Sequence, residues 1–455
     1  MLSYDLVVIG SGPAGEKAAV QAARYGHSVC VIDRSPAGGA WVNNGTIPSK
    51  TLRESALYLA GGRRRGVMMD PSATPTVRSF MAMKRHLVAR WRDKVEQNFR
   101  SHQVARMYGT ARFVDPHTLE VDDGTHVRGR YILIATGSRP RQVDSLPVDG
   151  RLVHDSDSIL SLERIPASMI VLGGGVIACE YASIFQALGV QVTLINGRDR
   201  ILGFLDREVT DFLEATFRDN GMVIRHQARP RRVDHSNPGD LELYLDDGTI
   251  ASAEVIFVAL GRTPVTEDLN LEAAGVQLTS WHTVEVNDHQ QSNVPHIYAA
   301  GDVVGFPSLA SAGMEQGRVA AAHMFGVERG GLAELIPAGV FTIPEVSSVG
   351  MDAEQAAEQG FEPVTGSASY SQAVRAAMIG DDVGLVKLVA DRATGRLLGA
   401  TIAGNQATEL IHFAQAVIRY QGTVQDLNEF VFNLPSLSVM YKQAAYRVME
   451  QMGQA

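Results

Sequence analysis

One supersecondary unit occurs twice in this chain of 455 residues, and it constrains the fold more than any other feature. At 4–33 an apolar run (residues 6–9) leads into Gly10-Ser-Gly12-Pro-Ala-Gly15, a helical stretch and a second apolar run at 28–32 that closes on Asp33. At 168–196 the same order returns: an apolar run at 170–172, then Gly173-Gly-Gly175-Val-Ile-Ala178, a helical stretch, and a second run at 191–195 that closes on Asn196. Both copies set the end of the second strand 23 positions after the first glycine, 10 to 33 and 173 to 196. A strand, a glycine turn, a helix and a second parallel strand make a βαβ unit, and its duplication predicts an α/β chain with two Rossmann-like dinucleotide-binding domains. The period is far too long for a solenoid.

The chemistry of the loops follows from backbone geometry. The first glycine permits the tight turn, the second lets a pyrophosphate approach the main chain, and the third lets the helix pack on the strand. The helix N-terminus then offers N–H groups and positive dipole to the phosphates. Gly10, Gly12 and Gly15 therefore form one candidate nucleotide site, with Asp33 placed to accept from a ribose 2′-hydroxyl. Gly173, Gly175 and Ala178 form the other, alanine being an accepted variant at the third place. There the strand ends in Asn196, with Arg198 and Arg200 beside it. A carboxylate would repel a 2′-phosphate; a neutral amide flanked by arginines tolerates one, so this site is expected to accept NADPH and to remain open to NADH.

Composition excludes other classes. Hydrophobic residues are 45% and charged residues 20%, as in an ordinary globular protein. A net charge of -9 argues against a nucleic-acid-binding surface. The only cysteines, Cys30 and Cys179, cannot build a disulfide framework or a thiolate metal cluster; no metal site and a cytoplasmic location are expected. The most apolar stretch, 169–195, is broken by three adjacent glycines and Glu180, so no membrane span is expected. Residues 63–75 read as a loop and 84–106 as a basic helix with a solvated face. From about 337 the pattern changes: antiparallel strands at 383–389 and 397–402 turn at Thr394-Gly395, and helices follow at 407–421 and 436–452. This tail predicts a separate α+β domain. His282, His323 and His412 show no ligand spacing and read as structural.

Further motifs complete the pattern: Gly45-Thr46-Ile-Pro-Ser-Lys50, Ala135-Thr136-Gly137-Ser-Arg-Pro140, Gly261-Arg262-Thr-Pro264 and Tyr298-Ala-Ala-Gly301-Asp302-Val303. Together they resemble the two-dinucleotide-fold flavoproteins of the pyridine nucleotide–disulfide oxidoreductase superfamily, over essentially the whole chain. Within it, 155–160, 179–185, 194–200, 305–311 and 341–350 are similar to the soluble (Si-specific) NAD(P)+ transhydrogenases, Asn196 included. The resemblance implies FAD as cofactor, NAD(P)H as substrate and a homodimer formed through the C-terminal α+β dimerisation domain. It implies an FAD-binding domain from 1–145 and 266–336, an NAD(P)-binding domain at 146–265 and an interface domain at 337–455. It implies cofactor contacts from Thr46, Thr136, Gly137, Gly261, Arg262, Gly301 and Asp302. Lys50 is implied to lie near flavin N5 and to pair with Glu180.

The resemblance also shows what is missing. Disulfide reductases of the superfamily carry two cysteines where this chain has Trp41 and Thr46, and a histidine and a glutamate where it has Leu434 and Val439. Without thiols or a leaving-group acid, disulfide reduction is rejected. What remains is a hydride relay from NAD(P)H to FAD and on to NAD(P)+, needing only Lys50, Glu180 and the two loops. The alternative acceptor is a quinone or similar flat molecule, on an apolar face made by Trp41, Leu434 and Val439. A non-catalytic sensor is disfavoured by the retention of Lys50 and Glu180. Thr46 is expected to hydrogen-bond backbone, and Cys30 and Cys179 to be buried packing residues.

Overall fold

The computed structural model describes residues 1–64, 76–237 and 240–453. They form two compact units, one of Met1–Leu52, Met81–Arg141 and Gly261–Glu334, the other of Arg53–Phe80, Gln142–Leu260 and Leu335–Ala455.

In the first unit a parallel sheet runs in the order Ala105–Tyr108, Val29–Asp33, Leu2–Ile9, His126–Ile134. The first half of His126–Ile134 pairs antiparallel with Thr118–Val121, and its second half pairs parallel with Ile297–Ala299. Residues 6–9 are apolar without alternation because both faces of the strand are covered: Leu6, Val7 and Val8 are all fully buried. Each such side chain contributes about 1.5–3 kcal/mol of burial. The Pro13–Arg24 helix follows the glycine turn, and the Ala310–Met324 helix packs on it through Gly313 and Gly317. A Cβ at Gly317 would stand 2.2 Å from the Ala14 carbonyl oxygen, so these helices meet backbone to backbone.

The second unit repeats that sheet order: Val223–Arg225, Gln191–Ile195, Ser168–Leu172, Val255–Val258, then Val153–His154. In both sheets an antiparallel excursion separates the third and fourth parallel strands, Ala111–Asp115 with Thr118–Val121 in one, Pro230–Asn237 with Asp240–Leu245 and Ile250–Ala253 in the other. The duplication read from two glycine loops thus extends to whole sheets.

The unit also holds an antiparallel sheet of Ala338–Val340, Val346–Gly350, Leu397–Ala403, Leu385–Asp391 and Pro363–Ser369, as the α+β reading expected. Gly395, at φ +70°, makes the turn between its two long central strands. The Ala407–Arg419 and Val439–Met452 helices cover it. Between them lies a short helix, Val424–Glu429, opened by a Thr423–Asp426 capping box. Tyr370 and Tyr441 are fully buried there, and each hydroxyl donates to a main-chain oxygen, of Asn405 and Leu410. That satisfaction is what permits two phenols in a core.

Two expectations need amendment. The helix read at 84–106 spans Val77–Ser101; Gln103 takes a positive φ of 57° and the chain enters a strand, so Arg106 lies on the sheet edge. Its outer face, with His86, Arg90 and Lys94, is solvated. Of the loop read at 63–75, residues 63 and 64 end the Thr46–Arg64 helix, and 65–75 lie outside the described residues.

Candidate functional site

The first glycine loop is built for close approach. Gly10 has φ +105°, and a Cβ there would stand 2.3 Å from the Ala135 oxygen. At Gly15 a Cβ would stand 2.0 Å from the Gly10 oxygen, so the third glycine is required by helix–strand packing. Gly12 is the N-cap of the Pro13–Arg24 helix and supplies no side-chain cap, which leaves first-turn N–H groups available to an anion. Ser11, fully buried, organises the turn: its N–H and hydroxyl both donate to one Asp33 oxygen, at 2.7 and 2.5 Å. The other Asp33 oxygen accepts from the Ser35 N–H at 2.8 Å. Asp33 therefore binds the loop to the strand end, a duty the sequence did not reveal.

Residues 136–140 and 261–265 meet across a short antiparallel pair, Ser138–Pro140 with Arg262–Pro264. Here Asp302 finds its partners. Ser138 Oγ donates to the Asp302 carboxylate at 2.6 Å and accepts from Arg262 Nε at 2.7 Å, and the Arg262 guanidinium also reaches the Ser138 oxygen. Thr136 Oγ1 donates to the Val265 oxygen at 2.6 Å, and Gly137, at φ +70°, accepts from the Val265 N–H. Gly301, at φ +85°, donates its N–H to the buried Gln316 side chain. Gly261 has φ +111° and accepts from the Arg141 N–H. The structure thus gathers Thr136, Gly137, Gly261, Arg262, Gly301 and Asp302 into one connected region; Ser138 and Gln316 are its unforeseen members.

Thr46 opens the Thr46–Arg64 helix and Lys50 lies half-buried one turn on. Contrary to expectation, the Thr46 hydroxyl makes no hydrogen bond of its own among the described residues. Trp41 packs edge-on against Trp91, ring centres 5.4 Å apart, and joins the core of the first unit. Its ring fills space, and the quinone alternative finds no support. Leu434 is exposed, and Val439 packs on its own unit's core.

The second glycine loop has the same construction. Gly173 has φ +120°, with a Cβ position 2.5 Å from the Ala259 oxygen, and Ala178 is fully buried. Gly175 caps the Val176–Ala187 helix with no side chain, and a Cβ there would meet nothing within 4 Å. Asn196 is 3% exposed and packs on Gly174, where a Cβ would stand 2.5 Å from its amide. Its Oδ1 accepts from the Arg198 N–H at 3.2 Å and its Nδ2 donates to the Arg200 oxygen at 2.8 Å. It is an anchor of the 197–200 turn, while Arg198 is exposed. Further along the same helix, Glu180 is 3% exposed and accepts from the Phe341 N–H at 2.9 Å. Beside it, Ser183 Oγ accepts from the Ile343 N–H.

Both cysteines are free and buried. Burial pushes the Cys30 thiol up to about 12, and burial, then the charge of Glu180, raises Cys179 as well. Thiols held protonated are poor nucleophiles. His323 accepts from or donates to the Tyr298 hydroxyl and stacks on His289, and His412 bonds Gln415, both structural roles. Among the described residues no three His, Cys, Asp or Glu side chains cluster as metal ligands, and no helix is long and apolar enough to cross a membrane.

Two glycine loops, each with a helix N-terminus that no side chain caps, fit two dinucleotides. The family profile described as pyridine nucleotide-disulphide oxidoreductase matches residues 4–317, and that family's dimerisation domain matches 336–445. The chain belongs to the pyridine nucleotide-disulphide oxidoreductase family. Its members are FAD-dependent enzymes acting with NAD(P)H, and the chain carries the family's dimerisation domain. It is 41% identical to a protein of Mycobacterium bovis named soluble pyridine nucleotide transhydrogenase, over 99% of this chain and 98% of that one. It is 39% identical to a protein of the same name from Vibrio atlanticus, over 97% of both chains. Two solved structures share the fold at a TM-score of 0.90. One is the HOCl-induced flavoprotein disulfide reductase RclA from Escherichia coli, 27% identical, covering 98% of this chain and all of that one. The other is LpdA from Mycobacterium tuberculosis, 28% identical, covering 99% of this chain and all of that one.

Proposed function

We propose that this protein is a soluble transhydrogenase: it takes hydride from one nicotinamide coenzyme and returns it to the other, NADPH to NAD+ or the reverse, as a homodimer. The observation that supports this best is the retention of two complete dinucleotide loops in a chain whose only thiols are buried and protonated. Full-length relatives with that name support the same reading.

Bound FAD supplies the ring that accepts and releases hydride. The protein binds and orients. Residues 1–145 and 266–336 would hold FAD, with first-turn N–H groups beyond Gly12 on the pyrophosphate, Asp33 at the adenosine ribose, and Asp302, steadied by Ser138 and Arg262, near the other end. Residues 146–265 would hold the nicotinamide coenzyme, with its pyrophosphate over Gly175 and its adenosine 2′ end against the 196–200 turn. Residues 337–455 would form the dimer. Lys50 would keep positive charge where hydride delivers negative charge, with Glu180 as its orienting partner.

If one site serves both coenzymes in turn, initial rates with NADPH and thio-NAD+ should give parallel lines in double-reciprocal form; intersecting lines would require two separate sites. Two substitutions test the coenzyme loop. Gly175→Ala should fold normally, since its Cβ meets no protein atom, yet raise KM for both coenzymes about tenfold or more by filling the approach to the backbone. Arg198→Gln should raise KM for NADPH about tenfold and leave NADH within about twofold, the loss of one charge-assisted contact to phosphate. Steady-state kinetics with each coenzyme separates the two results.

A further inference from the structure

We propose that His226, held by Glu214, is a positioning residue that sets the preference for the 2′-phosphorylated coenzyme. The proposal rests on the reading of the 196–200 turn as the contact for the adenosine 2′ end.

The hydrogen bonds fix their own polarity. The Arg198 N–H can only donate and the Arg200 carbonyl can only accept, so the Asn196 amide has one allowed orientation, Oδ1 toward the first and Nδ2 toward the second. The second Nδ2 hydrogen faces His226 Nδ1 at 3.2 Å, which must then be an acceptor. The ring proton therefore sits on Nε2, 2.9 Å from both oxygens of Glu214. Glu214 is itself held by Arg218 at 2.8 Å. The result is a directed chain, Asn196 donating to His226 and His226 donating to Glu214.

Main-chain bonds tie the two segments together. The Asn196 N–H donates to the Arg225 oxygen, the Gln227 N–H to the Arg198 oxygen and the Ala228 N–H to the Asn196 oxygen. His226 sits inside this lattice, directly behind the turn that presents Arg198. An exposed arginine is long and mobile, so its reach to a phosphate depends on where its backbone is held. Asn196, pressed on Gly174, transmits that position to the glycine loop as well.

The test uses the FAD-loaded enzyme and two probes, adenosine 2′,5′-bisphosphate and 5′-AMP, with binding measured by calorimetry at one mildly alkaline pH. The ratio of their Kd values reads the 2′-phosphate alone. At about pH 8, His226→Leu should lose about tenfold of that ratio with 5′-AMP affinity unchanged, the size of one hydrogen bond to a buried amide. His226→Asn, whose amide oxygen replaces the acceptor, should restore most of it. Equal ratios in wild type and His226→Leu, with Arg198→Gln losing the preference, would overturn the proposal and keep the turn as phosphate contact. A preference untouched by Arg198→Gln would instead overturn the reading of the turn. If His226→Leu fails to fold, His226→Phe, which keeps the ring volume and lacks the acceptor, takes its place, and a ratio equal to that of wild type overturns the proposal.

Discussion

Gly15→Ala should give a protein that purifies nearly colourless and melts early. One methyl group is enough, because its carbon would stand 2.0 Å from the Gly10 oxygen and 3.1 Å from a Val8 methyl. The Gly10 carbonyl and the helix must part by roughly an ångström to reach ordinary contact, and overpacking of that kind costs about 1–3 kcal/mol of stability. The larger effect falls on the cofactor. Gly10 and Gly12 set the position of the first-turn N–H groups, and each charge-assisted bond lost to a pyrophosphate is worth about 1.5–3 kcal/mol. Two such losses weaken FAD binding about 10²–10⁴-fold. The ratio of absorbance at 450 nm to 280 nm, compared with that of Gly175→Ala as a glycine-loop control, reads this directly. Gly175→Ala should keep its flavin, since its own Cβ lies in open space on the other loop. Full flavin content in Gly15→Ala would contradict the close-packed loop.

Lys50→Met should retain FAD and lose most hydride transfer. Hydride carries two electrons and one proton, so its arrival adds net negative charge to the ring. A fixed ammonium beside that charge stabilises the transition state more than the ground state, and removing one such group typically costs about 10²–10³ in rate. Methionine keeps the length and apolar stem of lysine, so packing on the Thr46–Arg64 helix changes little. Lys50→Arg keeps the charge and should recover part of the rate. Anaerobic stopped-flow bleaching at 450 nm by NADPH separates the step from coenzyme binding. An unchanged bleaching rate in Lys50→Met would remove Lys50 from the mechanism.

The sequence disclosed the fold where geometry demands particular residues. Only glycine suits Gly10 and Gly173 at φ +105° and +120° with backbone oxygens against them, so both βαβ units were legible from spacing. Gly395 and the apolar runs around it marked the antiparallel tail for the same reason. What stayed hidden depends on residues far apart in the chain. Ser11 and Ser138 carry no pattern that foretells their bonds to Asp33 and Asp302, 22 and 164 positions away. His226 lies 30 positions from Asn196, and two parallel strands must be aligned before the two meet. Asn196 was read as a neutral amide that tolerates a 2′-phosphate; its burial and its bonds within the turn add the duty of an anchor, with the exposed Arg198 beside it. Glu180 was read as a partner for Lys50 alone, and its bond to the Phe341 N–H adds a tie to the segment between the Ala338–Val340 and Val346–Gly350 strands.

The central claim is hydride transfer between nicotinamides without sulfur chemistry. Its most direct test is one anaerobic assay with NADPH as donor, with thio-NAD+ in one cuvette and a disulfide such as lipoamide or oxidised glutathione in another. The account predicts steady formation of thio-NADH, unaffected by a thiol-alkylating reagent, and no consumption of NADPH by the disulfide. Disulfide reduction with thio-NAD+ left untouched would contradict it.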